Sequence, residues 1–209
     1  MSISPGRRAR AFTQAITFDQ FVARSSTFTA TFRENYAATE LDDRDRVVLD
    51  RIDEPIDVLA IVEDWCPDVA ANLPILARIA DETGKIRLHV LVRDDTTRDV
   101  ADAYPFEGRS HIPTYVFSTG EEKELGVIVE RTPVIRERCE EYLTSFFEAH
   151  PELDRATFPV GMTDEVKAEL VELRLRRDLL ELERSSLVEA LGVLCTIRTF
   201  EPAGPATTP

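Results

Sequence analysis

Cys66 is the residue with the clearest chemical potential. The stretch VLAIVEDWCPDVAANLPIL, residues 58–76, runs from an apolar segment through Asp64-Trp65-Cys66-Pro67-Asp68-Val69 into a helical pattern. The thiol therefore opens a helix directly after a strand, where unpaired backbone N–H groups and the helix dipole stabilise a thiolate. Such sites lower a cysteine pKa from ~8.5 to between about 3.5 and 7.5. Asp64 and Asp68 work the other way, because like charge beside a developing thiolate disfavours it, so a smaller depression is expected here. Arg109 and His111 would partly offset them if the fold brings either near. In a dithiol site a second cysteine stands three residues on, and this chain has Val69 there.

The remaining candidates are weaker. Cys139 falls on an apolar stripe with Ile135, Tyr142, Leu143 and Phe146 and reads as core. Cys195, between Leu194 and Thr196, reads as core too, and it is the one realistic partner for resolving a mixed disulfide at Cys66. Cys66, His89 and His111 include no short-spaced ligand pair, so no metal site is expected. Asp94-Asp95 reads as a solvated loop capping the next helix.

Composition bounds the function classes. The chain has 209 residues, 39 acidic against 25 basic, and a formal charge of -14. That charge repels phosphate backbones and anionic membranes, so neither nucleic acid nor a membrane surface is an expected partner. Arg7-Arg8 precedes a segment broken by Gln14, Asp19 and Gln20, which argues against an export signal. No run of 18 apolar residues exists to span a bilayer. Three scattered cysteines do not make a disulfide framework, and a reducing cytoplasm is the expected compartment.

These residues need elements to position them. Residues 1–6 read as frayed, and 11–37 as one or two helices, with Thr17-Phe18-Asp19-Gln20 starting the second. A short helix follows at 43–52. Residues 56–62 form a nearly continuous apolar run, the pattern of a strand covered on both faces. Helix 67–82 has Pro67 in its first turn and Pro74 deep inside, where proline removes a backbone donor. A strand at 86–92, a short helix around 96–104 and strands at 115–118 and 124–130, turning at Thr119-Gly120, come next. Thr132-Pro133 opens helix 133–149. The order β-α-β-α-β-β-α predicts an α/β fold, a mixed sheet flanked by helices. Domain organisation is expected as an N-terminal helical region over 1–53 packing on the core, a central domain over 54–150, a linker over 151–162, a C-terminal extension over 163–200 and a disordered tail over 201–209. The extension reads as a charged helix of roughly twenty residues, then a helix breaking at Gly192 into a strand. Its leucine seam suggests a homodimer.

Trp65-Cys66, the segment GRSHIPTYVF with Ile112-Pro113-Thr114, and the turn STGEEKELG together resemble the thioredoxin-like superfamily over about residues 56–149. Within it the chain looks most like bacterial thioredoxin family proteins, with an atypical Trp-Cys-Pro-Asp-Val motif lacking the resolving cysteine. The resemblance implies a thioredoxin-like fold with a cis Ile112–Pro113 bond facing Cys66, and Cys139 packed away from the site. It implies Cys66 as nucleophile, and a substrate platform of Trp65, Pro67, Asp68, Ile112, Pro113 and Thr114. The buried acid that often stands six residues before the nucleophile is Ala60 here. The implied activity is monothiol thiol-disulfide exchange on protein or small-molecule disulfides. It needs no bound cofactor and takes glutathione or another low-molecular-weight thiol as resolving agent. The other reading is a non-catalytic thioredoxin-fold binding or scaffold protein that associates through its C-terminal extension.

Overall fold

A computed structural model describes residues 3–119, 123–157 and 162–199, the last three by backbone alone. Helices α1 (Pro5–Gln14), α2 (Phe18–Arg24), α3 (Thr29–Ala38) and α4 (Asp43–Leu49) precede the sheet. Then come β1 (Ile56–Val62), α5 (Pro67–Thr83), β2 (Ile86–Val92), α6 (Arg98–Asp102), β3 (Thr114–Thr119), β4 (Lys123–Val129) and α7 (Pro133–Ala149). A 3-10 turn at Arg155–Thr157 leads to α8 (Asp164–Arg174) and α9 (Arg177–Thr199).

The sheet order is β2-β1-β3-β4, with β1 parallel to β2 and antiparallel to β3. A strand with neighbours on both edges and helices on both faces favours apolar residues, and every residue of β1 is buried, its one charged member, Asp57, being paired with Arg87 and His89. Val58, Ala60 and Val62 join the larger core beneath α5 and α9, while Leu59 and Ile61 face a smaller cluster with Val100 and Ala101 of α6 and Ala11 of α1. At the outer edge of β2, Ile16 exchanges backbone hydrogen bonds of 2.8 and 2.9 Å with Val90.

The N-terminal region holds three helices before α4, one more than the pattern over 11–37 suggests. Residues 3–6 are not frayed: Ser4 caps α1, and Ile3 is buried in the smaller cluster. The Arg pair serves packing. Arg7 reaches Asp99 of α6 at 2.6 Å and Arg8 reaches Glu124 of β4. Thr17 closes a reciprocal capping box with Gln20 at the start of α2, as its sequence indicates. Pro74 sits inside an uninterrupted α5, and the Ala70 carbonyl that it leaves without an intrahelical donor accepts Asn35 Nδ2 of α3 at 2.8 Å.

The C-terminal extension departs from its sequence reading. The single charged helix is two, parted at Leu175-Arg176, with Asp178 in the first turn of α9, where a carboxylate meets the positive end of the helix dipole. Among the described residues no strand follows Gly192, because α9 runs on to Thr199. The glycine marks a close approach instead: a Cβ there would lie 2.6 Å from Val48 Cγ1 of α4. Leu187, Val188 and Leu191 of α9 are buried in the larger core, whereas Val166, Leu170, Leu173 and Leu180, the seam of the charged stretch, are half-buried. The turn at Gly120, the linker around Pro159 and Gly161, and the tail 201–209 lie outside the described residues.

Since α9 fills the main core, Leu191→Ala is expected to destabilise the whole protein by about 2–5 kcal/mol in one cooperative urea transition. A loss below about 0.5 kcal/mol would mean that the extension is not part of this core.

Candidate functional site

Cys66 follows the β1–α5 junction as the N-cap of α5, its carbonyl accepting the Ala70 N–H at 3.1 Å. Pro67 takes the first helical position, where its missing N–H costs nothing. Across the site the Ile112–Pro113 peptide is cis, and the Cys66 thiol donates to the Ile112 carbonyl at 3.6 Å. Cys66 lies within the core, 6% exposed. Burial, then the Asp68 charge, outweigh the backbone N–H groups of Val69 and Asp68 and the Arg131 guanidinium, so the thiol is pushed up to about 11. The helix N-terminus acts in the expected direction, but desolvation wins. The depressed value anticipated from the helix start is therefore corrected in sign. Val69, at the resolving position, is fully buried and apolar.

Asp68 explains part of this. Its side chain turns inward, where Arg131 Nε and Nη2 donate to its two oxygens at 2.7 and 2.6 Å. Arg174 Nε, at the end of α8, donates to Oδ1 at 2.5 Å, and Arg174 Nη2 donates to Glu183 Oε2 of α9 at 2.5 Å. Burial works against the Asp68 charge, yet the Arg174 and Arg131 guanidiniums hold its carboxyl below the usual carboxylate range. Glu183 is 0% exposed, and burial raises its carboxyl despite Arg174. Beneath the thiol, the buried Tyr115 hydroxyl donates to Asn72 Oδ1, and Asn72 Nδ2 donates to the Glu130 carbonyl at 3.0 Å.

The expected platform is thus only partly assembled as a surface. Trp65 is 53% exposed, and its indole N–H is held by Glu63, which also pairs with Arg93. Ile112 and Pro113 face the sulfur from inside the protein. Asp68 and Thr114 offer no side chain to a ligand: Asp68 is spent on two arginines, and the fully buried Thr114 donates to the His111 carbonyl at 2.8 Å. Asp64 is taken up by the N-terminal region, accepting Ser26 N–H at 2.6 Å and Thr27 N–H at 3.3 Å. Arg131, not Arg109 or His111, supplies the positive charge near the thiol. His111 pairs with Glu130 at 2.9 Å, and Arg109 is exposed.

Cys139 is not remote. It shares the environment of Arg131, Arg174 and Asp68, on the same side of the sheet as α5. Cys195 feels Asp53 and Lys85, which precede β1 and β2, while Cys66 follows the far end of β1. One strand length, roughly 20 Å, separates those ends, so within this chain Cys195 is no resolving thiol. His89 pairs with Asp57 at 2.9 Å, and Asp94 accepts Thr96 N–H at 2.7 Å as a loop before α6. Among the described residues no group of three or more His, Cys, Asp or Glu side chains is placed to hold a metal ion, and no helix is long and apolar enough to cross a membrane.

The buried cluster gives Asp68 a measurable signature. Its folded value lies below its unfolded one, so its contribution is present above the ordinary carboxylate range and is lost as pH falls through the depressed value. Asp68→Asn is expected to cost about 3–5 kcal/mol near neutrality by leaving buried guanidiniums unpaired. The gap from wild type should narrow below about pH 4, where the natural residue protonates as well. An equal gap at neutral and acid pH in urea denaturation would rule the charge out.

Comparison with known proteins bears on the fold. No curated protein matches the chain. An HIV epitope-scaffold of known crystal structure shares the fold at a TM-score of 0.59 and 20% identity, over 93% of this chain and 98% of that one. A protein of unknown function from Pseudomonas aeruginosa does so at a TM-score of 0.55 and 21% identity, over 83% of this chain and 95% of that one. At such identities both speak to the fold alone. The family model described as Thioredoxin matches residues 15–143, from the β2-edge bridge through most of α7 and including both Cys66 and Pro113. With more than half of its length matched, the chain belongs to the thioredoxin family.

Proposed function

We propose that this is a thioredoxin-fold binding protein whose one site cysteine rests as a protonated thiol, rather than a disulfide reductase that turns over. The observation that carries this reading is the setting of Cys66: the thiol is buried, donates to the Ile112 carbonyl, and has apolar Val69 where a resolving cysteine would stand. A thiol pushed up to about 11 is ionised at neutral pH in only about one molecule in ten thousand. Nucleophilic attack on a disulfide requires the thiolate. Trp65, an exposed ring whose N–H is already held by Glu63, gives the same surface a preorganised aromatic contact for an extended protein partner. The free thiols at Cys66, Cys139 and Cys195 fit a reducing compartment such as the cytoplasm.

Monothiol exchange, with glutathione or another small thiol resolving the mixed disulfide, is the second reading. What favours it is the pair of backbone N–H groups from Asp68 and Val69 at the sulfur, with Arg131 nearby. These would stabilise a thiolate once a partner or a local opening relieved its burial.

The rate of iodoacetamide alkylation at Cys66 against pH, assigned by mass spectrometry with Cys66→Ser as control, separates the two. The expected profile rises steeply through the alkaline range with a midpoint near 11, and no glutathione adduct accumulates near neutrality. A midpoint below about 8 with a glutathione mixed disulfide at Cys66 would replace this reading by monothiol exchange.

A further inference from the structure

The extension delivers charge to the site rather than only apolar cover. Arg174 is the one buried residue that α8 contributes among the described residues, and its guanidinium reaches the Asp68 carboxylate at 2.5 Å. Glu183 of α9 then holds Arg174 from behind at 2.5 Å. Arg174 Nη1 and Glu183 Oε1 find no hydrogen-bonding partner among the described residues. Asp68 is two residues from the thiol on the same first turn. The charged and titratable groups that face the pair come from every neighbouring element: Arg131 after β4, Arg174 of α8, Glu183 of α9, Tyr115 of β3 and Cys139 of α7. Two carboxylates and two guanidiniums balance there.

We propose that Arg174 and Glu183, both from the C-terminal extension, are positioning residues for Cys66, which through Asp68 set the charge that the thiol faces. The inference rests on the reading of Cys66 as a resting protonated thiol, and it makes the extension an integral part of that site. A carboxylate removed from the cluster leaves it net positive and favours the thiolate. A guanidinium removed leaves it net negative and favours the thiol.

Substitutions of opposite charge in full-length protein test this, read as Cys66 alkylation by iodoacetamide at about pH 8.5. There the rate follows the thiolate fraction, and one pKa unit is tenfold. Glu183→Gln is expected to react about tenfold faster and Arg174→Met about tenfold slower than wild type, while Arg174→Lys, which keeps the charge, stays close to wild type. Loosened packing would accelerate both neutral variants together. Changes of the same sign in Glu183→Gln and Arg174→Met, or no change in either, overturn the proposal. A fast wild-type thiol with a low midpoint would overturn the protonated resting state instead, and the signs of the two shifts would still decide the role of the extension.

Discussion

Asp68 is the point on which three parts of the chain converge. Placed at the second position of α5, it accepts Arg131 from the end of the β3–β4 hairpin and Arg174 from α8, while Glu183 of α9 backs Arg174. Apolar contact fixes only proximity, whereas a guanidinium fork meeting a carboxylate fixes a plane and a direction. A buried carboxylate is tolerable only when paired, so α5, the hairpin and the extension must be in register together or the charge is left uncompensated. The apolar seam of α9 supplies the area that keeps the arrangement closed, through Leu187, Val188 and Leu191 in the main core.

The same arrangement shapes the thiol. A cysteine at a helix N-terminus is ordinarily more acidic than a free thiol, because N–H groups and the dipole favour negative charge. Here those N–H groups are present, but the sulfur is desolvated, it faces the Ile112 carbonyl, and a carboxylate stands on the same helical turn. Desolvation acts on the whole charge, whereas each N–H offers only part of one. The balance therefore falls towards the neutral form. Arg131 reduces the Asp68 penalty without removing it.

The thioredoxin fold here sets a single cysteine against the cis proline, with apolar Val69 three residues on. Cys66 and the cis Ile112–Pro113 bond still meet, Trp65 still stands at the surface, and Val69 has joined the hydrophobic cluster. The helical extension folds back across α4, α5, α7 and β4 and brings Arg174, backed by Glu183, to Asp68.

Much of this was legible in the residues because it depends on local pattern. The apolar run of β1, the Pro67 and Thr132-Pro133 helix starts, the Thr17–Gln20 cap and the β-α-β-α-β-β-α order follow from periodicity and capping chemistry, which neighbours in sequence decide. The helix boundary at Leu175 and the continuity of α9 through Gly192 did not follow. A glycine that ends a helix and one that admits a neighbouring helix look alike until Val48 is placed against it. The acidity of Cys66 was likewise beyond local pattern. Its sequence neighbours, Pro67 and Asp68, establish a helix start and a nearby carboxylate, but the burial of the sulfur and the arginines that claim Asp68 come from residues 63 and 106 positions away. Capping and periodicity are short-range and can be read from the chain, whereas desolvation and ion pairing depend on what packs against a group, and only the tertiary structure decided that.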